Sequence, residues 1–126
     1  MSEEKYQRGL KQLQELDPKA LDSLNVLEKV VPGLARIIVE YEFADVYTRP
    51  GLDLKTRQLV TIAALTALGH AIPQLRVHTE YALNTGSTRQ EIYEVIIHTA
   101  PFVGFPAIIN ALKMAKEVCD AREKNS

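Results

Sequence analysis

The side chains best suited to chemistry are His78, at the end of the stretch GHAIPQLRVH, and three arginines in the middle of the chain. An imidazole exchanges protons near neutral pH, which makes His78 a candidate acid or base. Arg49, Arg57 and Arg76 each stand beside a predicted helix end or corner, and a guanidinium grips a carboxylate through two hydrogen bonds. This combination would suit a small acidic substrate.

Each of these residues also has a purely structural interpretation. A lone histidine on a helix is more often a hydrogen-bonded core or surface residue than a catalytic group. Arg57 could pair with Asp53 or Glu80. His98 could form an ion pair with Glu94 on the surface of a helix. The residue types and spacings leave both interpretations open.

Several kinds of site are disfavoured by the motifs and the charge of the chain. There is no GxxxxGK[ST], GxGxxG, HExxH or CxxC motif, and His70 and His78 lack the spacing of helical metal ligands, so we expect no cofactor and no metal. The 15 basic and 16 acidic residues give a net charge of −1, which predicts no nucleic-acid partner. No long apolar run occurs, so we expect neither a signal peptide nor a membrane span.

A single cysteine, Cys119, lies near the charged C-terminus. It cannot form an intramolecular disulfide, which favours a reducing compartment and a cytoplasmic location. We expect it to look outward from the last helix and to have low reactivity.

The periodicity of apolar residues predicts an all-α fold, a compact single-domain bundle of six to seven helices. A content of 46 % hydrophobic and 25 % charged residues is typical of one soluble globular domain at this length. The most apolar helix, capped by Asp53 and ending near Gly69, is predicted to be central and buried. Thr88 and Glu91 form a capping-box pattern. The predicted helices cover about 3–16, 18–29, 34–47, 54–68, 72–85, 89–103 and 106–120.

Two long stretches then show a family resemblance: RPGLDLKTRQLVTIAALTALG, and LRVHTEYALNTGSTRQEIYEVIIHTAPFVGFPAIINALKMAKEV. In the order of these elements the chain, from about residue 49 to 118, resembles the carboxymuconolactone decarboxylase family, within the alkyl hydroperoxidase D-like superfamily. The resemblance implies one domain over residues 1–126, with residues 1–31 as an N-terminal helical extension and 49–118 as the family core. It also implies an all-α homo-oligomer, a hexamer or trimer, with pockets where subunits meet.

The resemblance includes two chemical branches. Members similar to alkyl hydroperoxidase D carry a CxxC, a histidine four residues later, and a glutamate about one helix earlier that takes part in a proton relay. Here the histidine position matches His78, Ala71 and Gln74 occupy the cysteine positions, and Gln58 stands about where the glutamate is expected. Disulfide chemistry needs two thiols, so a peroxidase or antioxidant role rests on the family name alone.

The other branch, the lactone decarboxylases, uses no thiol pair. By resemblance, His78 would be the catalytic acid or base, and Arg57, Arg76, Arg49 and His98 would bind substrate, with redox cysteines and metal ligands absent. This implies a cofactor-free lyase acting on a small carboxylated lactone or a related aromatic-degradation intermediate. The sequence APFVGFP departs from the VYxGVP expected there, so a non-catalytic scaffold that binds another ligand is the alternative.

Overall fold

A computed structural model describes residues 2–125, and every regular element in that range is helical. The helices are α1 (Ser2–Leu16), α2 (Ala20–Asn25), α3 (Leu34–Ile38), α4 (Leu54–Leu68), α5 (Ile72–Asn84), α6 (Arg89–His98), α7 (Ala100–Val103) and α8 (Phe105–Lys124). A 3-10 turn (Val26–Lys29) continues α2, and a π-helix (Val39–Val46) continues α3. The predicted all-α class is confirmed.

The described residues divide into an N-terminal unit that ends at Leu54 and a C-terminal unit that begins at Lys55. In the N-terminal unit, α1 packs along the π-helix and buries Leu13 and Leu16. The two backbones approach closely at Gly9, where an added Cβ would collide with the carbonyl oxygen of Val39. A glycine at this position therefore allows the two helices to touch.

Replacing Gly9 by alanine is expected to destabilise the N-terminal unit by about 1–3 kcal/mol, because the new methyl group overpacks a contact with backbone atoms. Urea unfolding of the variant measures the change. Gly51→Ala is the matched control, since a Cβ at that exposed position meets nothing within 4 Å. Equal stability of the two variants would contradict the close approach.

The third predicted helix differs from the prediction in its geometry and in its buried face. The sequence pattern predicts α-helix from Leu34 to Tyr47 with an apolar stripe that includes Ile37 and Tyr41, yet both of these side chains are exposed. The helix becomes π-helical after Ile38, where hydrogen bonds span five residues and the angular spacing of side chains changes. The buried positions are Ala35, Val39, Phe43, Ala44 and Tyr47.

In the C-terminal unit, α5 and α6 both pack against α8 around a core of aliphatic side chains. Thr88 and Glu91 form the predicted capping box: the Thr88 hydroxyl accepts from the Glu91 amide at 3.0 Å, and the Glu91 carboxylate accepts from the Thr88 amide at 2.9 Å. Gly69, with φ of 80°, ends α4 as predicted. The core residues are Ile62, Leu75, Ala82, Ile92, Ile96, Ile108, Ala111, Met114, Ala115 and Val118.

Helix α4 is less buried than its apolar sequence predicts. Its buried positions are Gln58, Ile62 and Thr66, which repeat every four residues and form a single stripe. Val60 and Leu68 are more than half exposed. The prediction of a central, buried helix is therefore wrong for the single chain, in which one face of α4 contacts the core.

No helix within residues 2–125 is both long enough and apolar enough to cross a membrane.

Candidate functional site

His78 lies on α5 and donates a hydrogen bond to a side chain of α4. Its Nδ1 atom is 3.0 Å from the side-chain carbonyl oxygen of Gln58 on α4. Gln58 is completely buried and His78 is half-buried. Since an amide oxygen can only accept a hydrogen bond, Nδ1 carries the proton of the neutral imidazole. Nε2 is then the nitrogen at which the ring can take up a second proton. The two residues that the resemblance associated with a relay are thus brought together.

The environment of His78 favours the uncharged imidazole. Burial lowers the pKa of His78 from its ordinary 6.5 to about 4, because the charged form loses its hydration. The Tyr81 ring, one turn further along α5, meets the imidazole edge to face with 5.1 Å between ring centres. The resting side chain is therefore neutral at physiological pH.

By the family resemblance, the start of α5 corresponds to the CxxC of members similar to alkyl hydroperoxidase D. Ala71, the residue before α5, is buried, and Gln74 in the first turn is exposed. Cys119 lies on α8 and is only 2 % exposed, so the prediction that it looks outward is wrong. It falls on the inward stripe of α8, next to Val118 and one turn after Ala115. Burial raises the pKa of this thiol, which makes a reactive thiolate scarce.

The three candidate arginines occupy different settings. Arg76 lies two residues before His78 on α5, so the two side chains leave the helix on different sides. Its guanidinium donates to Glu117 of α8 at 2.6 Å and borders a groove of about 370 Å³ with Lys113 and Asn110. The structure does not bring Arg76 and His78 together.

Arg57 belongs to the C-terminal unit and Arg49 to the N-terminal unit. Arg57 precedes Gln58 in the first turns of α4 and is half-buried. Glu80, one of the carboxylates that could have paired with it, accepts a hydrogen bond from Arg122 of α8 at 2.8 Å. Arg49 lies in the N-terminal unit, on the turn after the π-helix, and is exposed.

His98 ends α6 and is exposed. Its ring lies 6.4 Å from the ring of Phe102, which is itself 82 % exposed. The histidine thus belongs to the surface near α7 rather than to the buried pair of His78 and Gln58.

Glu42 in the π-helix is a titratable group that the sequence analysis missed. Burial raises the pKa of its carboxyl group from 4.5 to about 7. Desolvation favours the neutral acid, so a substantial fraction of this side chain is protonated near neutral pH. No sequence signal marks it, because an α-helical spacing was assumed where the backbone is π-helical.

A metal site needs several histidine, cysteine, aspartate or glutamate side chains close together. Within residues 2–125, no three or more of these side chains are grouped in this way. The polar pair at the candidate site is formed by His78 and Gln58.

Comparisons with known proteins agree on one family. The family model described as "Carboxymuconolactone decarboxylase family" matches residues 32–117. The chain is 38 % identical over 118 residues to 4-carboxymuconolactone decarboxylase of Acinetobacter baylyi, covering 92 % of this chain and 87 % of that protein.

Two further relatives have different descriptions. An uncharacterized 15.0 kDa protein from the nqo9-nqo10 intergenic region of Paracoccus denitrificans is 42 % identical over 96 residues, covering 75 % of this chain and 72 % of that one. Nitrosuccinic acid decarboxylase npaB of Metarhizium robertsii is 38 % identical over 81 residues, covering 64 % of this chain and 55 % of that one.

The family model covers more than half of the sequence, and one relative matches almost its whole length. These matches include both members of the buried His78 and Gln58 pair. The chain therefore belongs to the carboxymuconolactone decarboxylase family.

Proposed function

We propose that the protein is a cofactor-free carboxy-lyase that removes CO₂ from a small carboxylated lactone or a related aromatic-degradation intermediate. The observation that carries the proposal is the neutral imidazole of His78, fixed through Nδ1 by the buried carbonyl of Gln58. Two relatives bear the names of decarboxylases, which supports the reaction class. The lactone comes from the name of one of them.

The reaction requires one proton from solvent for each CO₂ released. The bond between the substrate carbon and its carboxylate breaks, and the electron pair stays on the substrate as a carbanion whose charge spreads to the lactone oxygen. A bound anion raises the pKa of a nearby imidazole, so His78 takes up a proton at Nε2 when substrate binds. It then delivers this proton to the carbanion and returns to its neutral state.

Arg57 is the strongest candidate for gripping the substrate carboxylate. It is half-buried in the first turns of α4, the helix that also carries Gln58, and a guanidinium can bind a carboxylate through two hydrogen bonds. Arg76 is a weaker candidate because it lies two residues before His78 on α5, so that the two side chains leave the helix on different sides. Arg49 and His98 are further candidates proposed from the family resemblance.

Turnover of 4-carboxymuconolactone by the purified protein tests the proposal. We expect CO₂ release that matches loss of the lactone and that continues in the presence of a metal chelator. A control with the substrate lacking its carboxylate should show no reaction. Absence of turnover by the wild-type protein would contradict the lyase and favour the alternative, a scaffold that binds a ligand without catalysis.

We also propose that the protein assembles as a homo-oligomer. Four side chains on the surface of the C-terminal unit are apolar and strongly exposed, and we call them the corner patch: Ile97, Phe102, Phe105 and Ile109. Phe102 and Phe105 are 82 % and 71 % exposed, which is costly for aromatic rings in water. A second copy of the chain would bury them, together with the exposed apolar side of α4.

Replacing both Phe102 and Phe105 by serine is expected to shift the protein to a smaller species in light scattering coupled to gel filtration. The polar side chains remove the apolar area that association buries. Val30→Ser is the control, because Val30 is an apolar residue of the N-terminal unit whose 73 % exposure is close to that of Phe105. An unchanged mass of the double variant would exclude the corner patch as the interface.

A further inference from the structure

Gln58 places a polar amide group in the core, and burying such a group without hydrogen bonds lowers the stability of the folded chain. It occupies the buried stripe of α4 with Ile62 and Thr66, at 0 % exposure. Thr66 satisfies its hydroxyl within the helix by donating to the carbonyl of Ile62 at 2.8 Å. The Gln58 amide nitrogen, by contrast, has no hydrogen-bond partner among the described residues.

The hydrogen bond to His78 is therefore the polar contact that the described residues provide for the Gln58 side chain. An apolar residue would fill the stripe without leaving a buried donor unsatisfied. Packing of the core thus does not explain a glutamine at this position, whereas orientation of the imidazole does.

The geometry points to Gln58 as the positioning residue for His78: its carbonyl oxygen fixes the imidazole as the Nδ1–H tautomer and leaves Nε2 as the only atom that exchanges a proton with substrate. This inference deepens the proposed function and rests on it for its catalytic meaning. The tautomer itself is a property of the resting protein and is measurable without substrate.

An amide at this position has a different effect from a carboxylate. Both accept a hydrogen bond from Nδ1–H. A carboxylate also stabilises the imidazolium by its negative charge, whereas the neutral amide does not. Gln58 faces the ring from α4 and Tyr81 faces it from α5. Because the amide is neutral, the imidazole keeps its low proton affinity in the resting protein. A bound substrate anion would raise the pKa of the imidazole, so that the ring takes up a proton and can then act as an acid.

Nitrogen-15 NMR of the imidazole rings tests this role directly. The chain has three histidines, so His70→Gln and His98→Gln variants assign the His78 signals. We expect the wild-type protein to show a protonated Nδ1 and an unprotonated Nε2. The signature of the Nε2–H tautomer in the wild-type protein would overturn the inference.

Two substitutions at Gln58 separate orientation from charge. Gln58→Met keeps the length of the side chain without an acceptor, so we expect His78 to show a mixture of tautomers. Gln58→Glu keeps the acceptor and adds a charge, so we expect the His78 titration midpoint to rise from about 4 by at least a unit, a tenfold gain in proton affinity. Gln90→Glu adds the same charge on the exposed surface of α6 and should leave the midpoint unchanged.

Kinetic measurements connect the tautomer to catalysis. We expect Gln58→Glu to shift the pH profile of kcat/KM to higher pH, and Gln90→Glu to leave it in place. If Gln58→Met keeps the wild-type NMR signature, the positioning role is excluded, whatever the activity. If the NMR changes as expected but the wild-type protein has no turnover, the proposed lyase function fails while the structural role of Gln58 stands. Circular dichroism confirms that each variant is folded.

Discussion

His78→Gln is expected to lower kcat for decarboxylation of 4-carboxymuconolactone by about 10²–10⁴-fold, the usual contribution of a positioned acid or base. Glutamine can donate and accept hydrogen bonds, but it cannot take up a proton and deliver it to carbon. The loss should therefore appear in kcat more than in KM, because binding of the substrate carboxylate is assigned to Arg57. Steady-state kinetics of CO₂ release measure both constants.

The matched control is His70→Gln, which changes the same side chain at an exposed corner between α4 and α5. It should keep the wild-type kcat. If His78→Gln is folded and as active as His70→Gln, then His78 is a structural residue and the proton must come from another group.

The stability of the chain is expected to depend on pH through two buried groups that act in opposite directions. His78 has a pKa of about 4 in the folded chain against an ordinary 6.5. Between these values the unfolded state binds more protons, so the His78 contribution to stability is lost as the pH falls. Glu42 has a raised pKa of about 7 against 4.5, so its contribution is lost as the pH rises through that range.

Each contribution reaches at most about 3.5 kcal/mol, since one pKa unit corresponds to about 1.4 kcal/mol. Because the two ranges overlap, the contributions partly cancel in the wild-type chain. Glu42→Gln should therefore expose the His78 effect, with stability falling as the pH is lowered from about 6.5 to 4. His78→Gln should expose the Glu42 effect, with stability falling as the pH is raised from about 4.5 to 7.

Urea unfolding at a series of pH values measures these slopes, and hydrogen exchange assigns them to the N-terminal unit for Glu42 and the C-terminal unit for His78. Asp22→Asn, at an exposed carboxylate of α2, serves as the control for Glu42→Gln. Parallel pH dependences of the wild-type chain and both variants would show that neither group titrates abnormally.

Local signals in the sequence were sufficient for much of the fold. The capping box at Thr88 and Glu91 and the glycine that ends α4 depend on hydrogen bonds and backbone angles within a few residues, and both are confirmed. The family was also identifiable, because its motifs are contiguous stretches of the chain. Such features can be predicted because the residues that form them are close together in the sequence.

The buried face of α3 and its π-helical extension could not be predicted in this way. A helical pattern is interpreted with 3.6 residues per turn, and this spacing placed Ile37 and Tyr41 inside. Ile37 is exposed although it lies in the α-helical part, where Ala35 is the buried residue. The π-helical part that follows packs against α1, buries Phe43 and Ala44, and leaves Glu42 desolvated. The choice between the two geometries depends on packing against α1, including the close approach at Gly9.

In the candidate site, too, some features follow from residues close together in sequence and others from packing between helices. The order of residues alone shows that His78 follows two positions without thiols, and that Arg76, Arg57 and Arg49 precede it in the chain and are able to bind a carboxylate. The hydrogen bond between His78 and Gln58, twenty residues earlier, and the ion pair between Arg76 and Glu117 become visible in the tertiary structure. The physical reason is that hydrogen bonds between helices depend on how α4, α5 and α8 pack, which no single segment specifies.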